Sequence, residues 1–326
     1  MLIDNFNRVH DYLRVSITDK CNFSCSYCIP VKSCHFLSNE KLMTVNELFE
    51  ISKIFVQLGI KKIRITGGEP LIRPDFPDII KKLFSLNIQL TITTNGYYID
   101  KYIDILSTYI KSINVSLDTL DTVKFLRITG KDAFEKIYNN IHLLLKYNFH
   151  PKINVVLIKG INDDEVTRFL HWTKNIPIHI RFIEYMPFES NKWNKDYVVS
   201  LDEILNSIKQ SRYDIIKLKD EPNSTSKAFQ IKGFQGTFAV ISTVSNPFCD
   251  TCNRIRLTAD GKLRNCLFAR SETDILTPFR NNEDIIPLIK QNISNKFKLR
   301  GGLPDFNDQQ SLLDALSKRK MIEIGG

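Results

Sequence analysis

The chain has 326 residues, 43% hydrophobic, 10% aromatic and 25% charged, which is ample for a large folded unit and excludes a disordered or low-complexity protein. Its formal charge of +9 favours an anionic partner such as a nucleotide or nucleic acid, although a solvated basic surface accounts for it equally well. Met1 to Arg14 mixes Asp4, Arg8, His10 and Asp11 among apolar positions, so no signal-peptide core is expected there, and no apolar run approaches a membrane span.

In chain order, Leu13 to Ile17 alternates, is β-branched, and reads as a strand running straight into Cys21, Cys25 and Cys28. Thr44-Val45-Asn46-Glu47 has capping-box spacing, and Leu48, Ile51, Ile54, Phe55 and Leu58 recur at helical intervals until Gly59. A second strand, Lys62 to Thr66, ends at Gly67-Gly68-Glu69-Pro70 and precedes a helix over Phe76 to Leu86. Strands at Leu90 to Thr93, Ile113 to Ser116, Ile153 to Leu157 and Ile178 to Ile183 continue the alternation, with a helix near Tyr102. Six such units predict an α/β fold, an incomplete (βα)6 TIM-type barrel over 1–220, with ligands at the carboxyl ends of its strands.

After about Asp220 the pattern changes. Turn-rich Glu221 to Ser226 leads into short β-like runs at Ala228 to Ile231 and Thr237 to Thr243, a Cys-x2-Cys loop and a hairpin signal at Asp260-Gly261. Helices are expected within Ile285 to Ile293 and Asp305 to Lys320. This predicts a smaller, mostly β domain over 221–326 that covers the open side of the barrel.

The seven cysteines, at 21, 25, 28, 34, 249, 252 and 266, are odd in number and clustered, which suits thiolate ligation in a reducing, cytoplasmic compartment. Cys21, Cys25 and Cys28 form Cys-x3-Cys-x2-Cys. Three thiolates on a cubic iron–sulfur cluster leave one iron open to a ligand that is not protein, whereas structural zinc takes paired knuckles and a fourth ligand. Cys249, Cys252 and Cys266 are again three thiols. Zinc competes there, but it would need a carboxylate or a remote ligand to close, which favours a second open cluster. Arg254 and Arg256, at i and i+2 beside it, share one face of a strand and form a fork-shaped pair suited to phosphate. Arg14, Arg64 and Lys152 fall inside strand signals, where a charge is unfavourable unless it meets a ligand or a partner. Five converging cations would suit a triphosphate.

The first triplet after a βα strand, together with Gly67-Gly68-Glu69-Pro70, resembles the radical S-adenosylmethionine (SAM) superfamily. Thr18-Asp19-Lys20-Cys21-Asn22-Phe23, Thr93-Thr94-Asn95-Gly96, Asn114-Val115-Ser116-Leu117-Asp118, Arg181-Phe182-Ile183-Glu184-Tyr185-Met186, the Cys249 to Cys266 unit and Gly325-Gly326 are similar to its GTP 3′,8-cyclase family, at the head of molybdenum-cofactor biosynthesis. The resemblance implies two [4Fe–4S] clusters, on Cys21, Cys25 and Cys28 and on Cys249, Cys252 and Cys266. It implies SAM at Tyr27, Gly68, Ser116 and Met186, and GTP at Arg14, Arg64, Thr93, Lys152, Arg254 and Arg256, with guanine on the open iron of the second cluster. Catalytic roles fall to Arg14, Arg254, Arg256 and the Gly325-Gly326 tail, which by resemblance threads into the active site. Residues without side chains would let backbone approach the arginines there, and residues appended after Gly326 would abolish turnover while sparing both clusters. The stretch Val31 to Lys41, which would cover the first cluster, is shorter than the family's.

The implied reaction is electron transfer from the first cluster to SAM, abstraction of hydrogen from C3′ of GTP by the resulting 5′-deoxyadenosyl radical, and attack of C3′ on C8. The product, 3′,8-cyclo-7,8-dihydro-GTP, would pass to cyclic pyranopterin monophosphate synthase. The family also implies an external electron donor and a homodimer, with no membrane or nucleic-acid partner. Two alternatives remain on the residues: a radical SAM enzyme that modifies a peptide or RNA, and a non-catalytic zinc-bearing nucleic-acid binder.

Overall fold

The computed structural model describes residues 1–28, 36–191 and 193–325. Six parallel strands form its centre: β1 (Tyr12–Ser16), β2 (Lys62–Thr66), β3 (Gln89–Thr94), β4 (Ser112–Ser116), β5 (Lys152–Leu157) and β6 (His179–Glu184). They pair side by side in chain order. Between and after them run α1 (Val45–Gln57), α2 (Phe76–Phe84), α3 (Ile99–Tyr109), α4 (Thr122–Thr129), α5 (Phe134–Lys146), α6 (Val166–Trp172) and α7 (Leu201–Gln210).

The start of α1 shows why the local sequence folds this way. The Glu47 N–H donates to Thr44 Oγ1 at 3.2 Å and the Thr44 N–H donates to the Glu47 carboxylate at 2.7 Å, while Leu48, Ile51 and Phe55 bury the inner face. Thr44→Ala is expected to lower stability by about 1 kcal/mol, read as a small fall in the thermal unfolding midpoint.

Strand side chains alternate, with Ile183 an apolar exception on the cavity phase of β6. One phase, including Leu13, Val15, Ile63, Ile65, Ile92, Val115, Ile153 and Phe182, is buried in a continuous apolar core beneath the helices. The other phase is polar: Tyr12 and Arg14, Lys62 and Arg64, Asn114, Lys152 and Asn154, and His179 and Arg181 all line one cavity. Strands lie about 4.8 Å apart in a sheet, so side chains from this many strands reach a common space only because the sheet is curved around it.

From residue 215 on, the chain extends this sheet instead of building another. β7 (Ile215–Lys217), β8 (Lys227–Ile231), β9 (Thr237–Ile241), β10 (Arg254–Leu257), β11 (Lys262–Arg264) and β12 (Thr273–Asp274) complete the order β12-β11-β10-β1-β2-β3-β4-β5-β6-β9-β8-β7. β9 runs parallel to β6, and β10 runs parallel to β1. Nor is the segment mostly β, because it also contains α8 (Leu276–Arg280), α9 (Ile286–Ser294), α10 (Gln309–Ala315) and α11 (Met321–Ile324). The physical reason lies in the outer backbone groups of β1 and β6, which pairing satisfies. Buried Ile255, Leu257, Phe238 and Val240 on the added strands join the existing core.

Glu184, fully buried at the end of β6, helps to fix this joint. Its carboxylate accepts hydrogen bonds from the backbone N–H groups of Val244 at 2.7 Å, Ser245 at 2.9 Å and Leu201 at 3.2 Å. A second apolar cluster, with Tyr185, Phe188, Trp193, Phe268, Phe306 and Ile324, ties the C-terminal segments to the loop after β6. Among the described residues no helix is long and apolar enough to cross a membrane.

Candidate active site

The loop carrying Cys21, Cys25 and Cys28 follows β1 and is clamped by the turn after β2. Gly68 N donates to Thr18 O at 2.6 Å and Glu69 N to Lys20 O at 2.8 Å. A Cβ on Gly68 would stand 2.2 Å from Lys20 O, so only glycine lets the two loops touch. Glu69 is buried, and its carboxylate accepts from Leu71 N (3.0 Å), Thr94 Oγ1 (2.7 Å) and Asn95 N (2.7 Å). Burial pushes its pKa up to about 7 against those donors. This carboxylate therefore orders the loop and brings Asn95 Nδ2 to 3.9 Å from Cys21 Sγ.

Across the same end of the sheet, Tyr27 Oη donates to Asp118 Oδ2 at 2.7 Å, and Asp118 Oδ1 accepts from Val156 N at 2.8 Å. Burial raises Asp118 to about 6. Ser116 ends β4, and Met186 follows β6 and lines the cavity. Burial, with Glu69 adding to it, pushes the Cys21 thiol up to about 12, and burial drives Cys25 well above its ordinary value. Thiols so placed ionise only when a strong positive partner such as a metal is within reach, which fits a cluster site.

The cavity has a volume of about 600 Å³, within the usual range for small-molecule sites. Two rows of side chains cross its wall in register. Arg256, Arg14 and Arg64 are Cα partners across β10, β1 and β2, and Arg254, Tyr12 and Lys62 form the row below. Tyr12 Oη accepts a hydrogen bond from Arg64 Nε, while Lys62 Nζ and the Arg254 guanidinium lie 4.9 and 5.9 Å from its ring centre. Burial alone would raise the Tyr12 phenol, yet the charges of Arg64 and Arg14 bring it down to about 7.

Farther round, Lys152 is lowered to about 8 and Arg181 to about 9, in each case by burial first and then by neighbouring cations. Arg181 Nη2 donates to Asn154 Oδ1 at 2.5 Å. Its Nε and the Asn114 Oδ1 are buried and lack hydrogen-bond partners among the described residues. Cations thus outnumber the two carboxylates on the wall, Asp11 and Glu221. Such a cavity is complementary to a polyanion with further polar groups.

Cys249, Cys252 and Cys266 line the same cavity. Cys249 opens a single 3₁₀ turn in which Cys252 N donates to Cys249 O at 3.1 Å, and Cys266 follows β11. Burial raises both Cys252 and Cys266, but Lys296 and Arg254 outweigh it at Cys252 and hold that thiol below its ordinary value. Among the described residues no three His, Cys, Asp or Glu side chains converge where one metal ion could be held. Ligands of a cubic cluster need not converge, because each thiolate takes a different iron.

The tail reaches this space as well. Gly325 O accepts from Arg256 Nη1 at 2.6 Å. Gly325 has φ +77°, and a Cβ there would stand 2.6 Å from Thr66 Oγ1 and 3.1 Å from Ser16 Cβ. The tail therefore sits where the cavity meets the loop holding Gly67 and Gly68. Gly326, Cys34 and Val31 to His35 lie outside the described residues.

Comparison with known proteins follows these two halves of the site. A family profile described as the Radical SAM superfamily matches residues 15–173, and one described as Molybdenum Cofactor Synthesis C matches residues 178–300. The chain is 41% identical over 333 aligned positions to a protein of Listeria monocytogenes named GTP 3′,8-cyclase, covering 100% of this chain and 99% of that one. The chain belongs to the GTP 3′,8-cyclase family. It is also 40% identical to mouse molybdenum cofactor biosynthesis protein 1, over 99% of this chain and 51% of that protein. The chain thus spans about half the length of the mammalian relatives it matches. A crystal structure of Streptococcus suis SuiB bound to S-adenosylmethionine shares the fold, with a TM-score of 0.63 at 15% identity over 88% of this chain and 68% of that one.

Within this family frame, the structure gathers Arg14, Arg64, Lys152, Arg254, Arg256 and Met186 around one cavity with the second triplet. Tyr27 and Gly68 lie instead at the first triplet. Thr93 Oγ1 accepts from Arg64 Nη1 at 3.3 Å, whereas Thr94 Oγ1 donates to Glu69, so Thr93 is the threonine that faces the cations.

Tyr12, Lys62, His179 and Asn154 are wall residues that single-motif reading of the sequence missed, and Arg181, quoted there only as a family mark, joins them. Tyr12, Lys62 and His179 begin their strands, and the cavity therefore extends toward the amino ends, not only the carboxyl ends. The available signal was the polar phase repeated in successive strands.

Proposed function

We propose that this chain is a radical SAM enzyme that converts GTP to 3′,8-cyclo-7,8-dihydro-GTP. The observation that carries this is the in-register row Arg256, Arg14 and Arg64, set in one cavity with Cys249, Cys252 and Cys266. Arg14, Arg64, Lys152, Arg254 and Arg256 would hold the triphosphate and Thr93 the nucleoside, with the base toward the second triplet. Tyr27, Gly68, Ser116 and Met186 would hold SAM beside Cys21, Cys25 and Cys28. When bound, a [4Fe–4S] cluster on each triplet, with SAM on the first, supplies the radical chemistry. The chain positions the sugar and excludes water, with Gly325 backbone against Arg256 closing the space between the two halves.

The six central units read as an incomplete barrel over 1–220, and the sheet extensions with the tail after 221 as its substrate-binding complement. By family likeness the product would pass to cyclic pyranopterin monophosphate synthase. An external donor would provide electrons, and the working form would be a cytoplasmic homodimer. A peptide-modifying enzyme would share the fold, but a row of three arginines beside a second row that adds Arg254 and Lys62 suits three linked phosphates better than a peptide.

Anaerobic incubation with GTP, SAM and a strong reductant tests the proposal. GTP-dependent 5′-deoxyadenosine and a cyclised nucleotide are expected; their absence from protein carrying both clusters would overturn it.

The wall also predicts a pH dependence. Lys152 loses its charge as pH rises through about 8, and Tyr12 gains a negative charge above about 7. Both changes weaken anion binding, so the Kd for GTP should rise between pH 7 and 9, by roughly tenfold or more. Equilibrium binding to the cluster-loaded protein measures this. Tyr12→Phe and Lys152→Arg should each remove part of the slope.

A further inference from the structure

One loop, Asn295 to Gly302, touches all three thiols of the second triplet. Lys296 Nζ donates to Cys252 Sγ at 3.5 Å, and the Arg300 N–H donates to Cys249 Sγ at 3.4 Å. Gly301, at φ +64°, packs so closely that a Cβ would stand 3.2 Å from Cys266 Sγ. The loop is fixed from behind by buried Arg8, which donates to Phe297 O (2.8 Å), Lys298 O (2.9 Å) and Cys249 O (2.8 Å).

The two buried cations differ in one respect. Arg8 has its own carboxylate, Asp4 Oδ2 at 2.6 Å. Lys296 is only 4% exposed, and its ammonium is bonded to Arg254 O at 2.9 Å and to the Cys252 sulfur. Among the described residues it forms no ion pair with a carboxylate. A buried ammonium without an anion is strongly unfavourable. Lys296 also does not line the cavity, whereas Arg254 does, so its charge is not available to a phosphate held there. The anion within its reach is the thiolate set.

We propose that Lys296 is the charge partner of the second cluster, a positioning residue whose ammonium stabilises the cluster's reduced state through the Cys252 sulfur. This rests on Cys249, Cys252 and Cys266 being cluster ligands. One electron, taken from a reductant in solution, makes the cluster one unit more negative. A buried cation hydrogen-bonded to a ligand sulfur favours that form.

The test compares the unmodified protein with Lys296→Met and Lys296→Arg after anaerobic reconstitution, by iron analysis and a redox titration followed by electron paramagnetic resonance. The methionine variant should keep about eight irons. Its second cluster should reduce only at more negative potential, by about tenfold in the reduced-to-oxidised ratio, or about 59 mV for one electron. The arginine variant should restore the potential, and the first cluster should be unaffected in both. If Lys296→Met instead loses the second cluster's irons while Lys296→Arg keeps them, the charge pairing is equally supported. An unchanged potential in Lys296→Met, an equal shift in both variants, or cluster loss in both would overturn the proposal. Only about four irons in the unmodified protein would remove the cluster assignment itself, and the role of Lys296 with it.

Discussion

Replacing Cys249, Cys252 and Cys266 together by serine is expected to lower the iron content from about eight to about four per chain and to abolish cyclisation of GTP. The two triplets are held by separate parts of the chain. The first is clamped by the Gly68 and Glu69 backbone and by Asn95, none of which touches the second. Slow, uncoupled release of 5′-deoxyadenosine should therefore survive while the cyclised product disappears. Loss of both clusters together would show that the halves of the site do not load independently. Full turnover with four irons would show that the second triplet takes no part in the chemistry.

The second large effect is expected at Gly325. Its carbonyl is bonded to Arg256, and φ +77° is a conformation that alanine adopts only at a cost of about 1–2 kcal/mol. An added methyl would also meet Thr66 Oγ1 at 2.6 Å and Ser16 Cβ at 3.1 Å. Gly325→Ala should displace the tail by roughly an ångström and reduce kcat/KM for GTP by about a hundredfold, with iron content unchanged. Adding Thr66→Ala removes the closest of the clashing atoms but leaves the backbone strain, so it should recover only part of the loss. Near-normal turnover in the single variant would exclude the tail from the active site.

Much of the central fold was legible in the sequence because each of its strands states its own phase. Leu13 and Val15 alternate with Tyr12 and Arg14, and Ile63 and Ile65 alternate with Lys62 and Arg64. The grouping of the cysteines into two triplets was legible through spacing alone. The joining of β10 to β1 was not, because Arg254–Leu257 carries no mark of which distant strand it will pair with. Nothing local therefore distinguished an extension of the first sheet from a separate cover.

Tyr12, Lys62 and His179 were missed for a related reason: a polar residue at the start of a strand usually faces solvent. Only the curvature of the sheet brings these three to a common wall. Lys296 lies in Asn295-Lys296-Phe297-Lys298, where its burial and not its chemical type sets it apart.

The place of β10 has a consequence for the order in which the protein is made. β1 leaves the ribosome well before its partner Arg254–Leu257, which follows more than two hundred residues later. In that interval the outer edge of β1 is an unpaired parallel edge, the feature most prone to join another chain. The polypeptide can shape the loop for its first cluster while still growing. It cannot align Arg14 and Arg64 with Arg256 until β10 itself has been translated, so triphosphate binding would report that a nascent chain has grown past that strand.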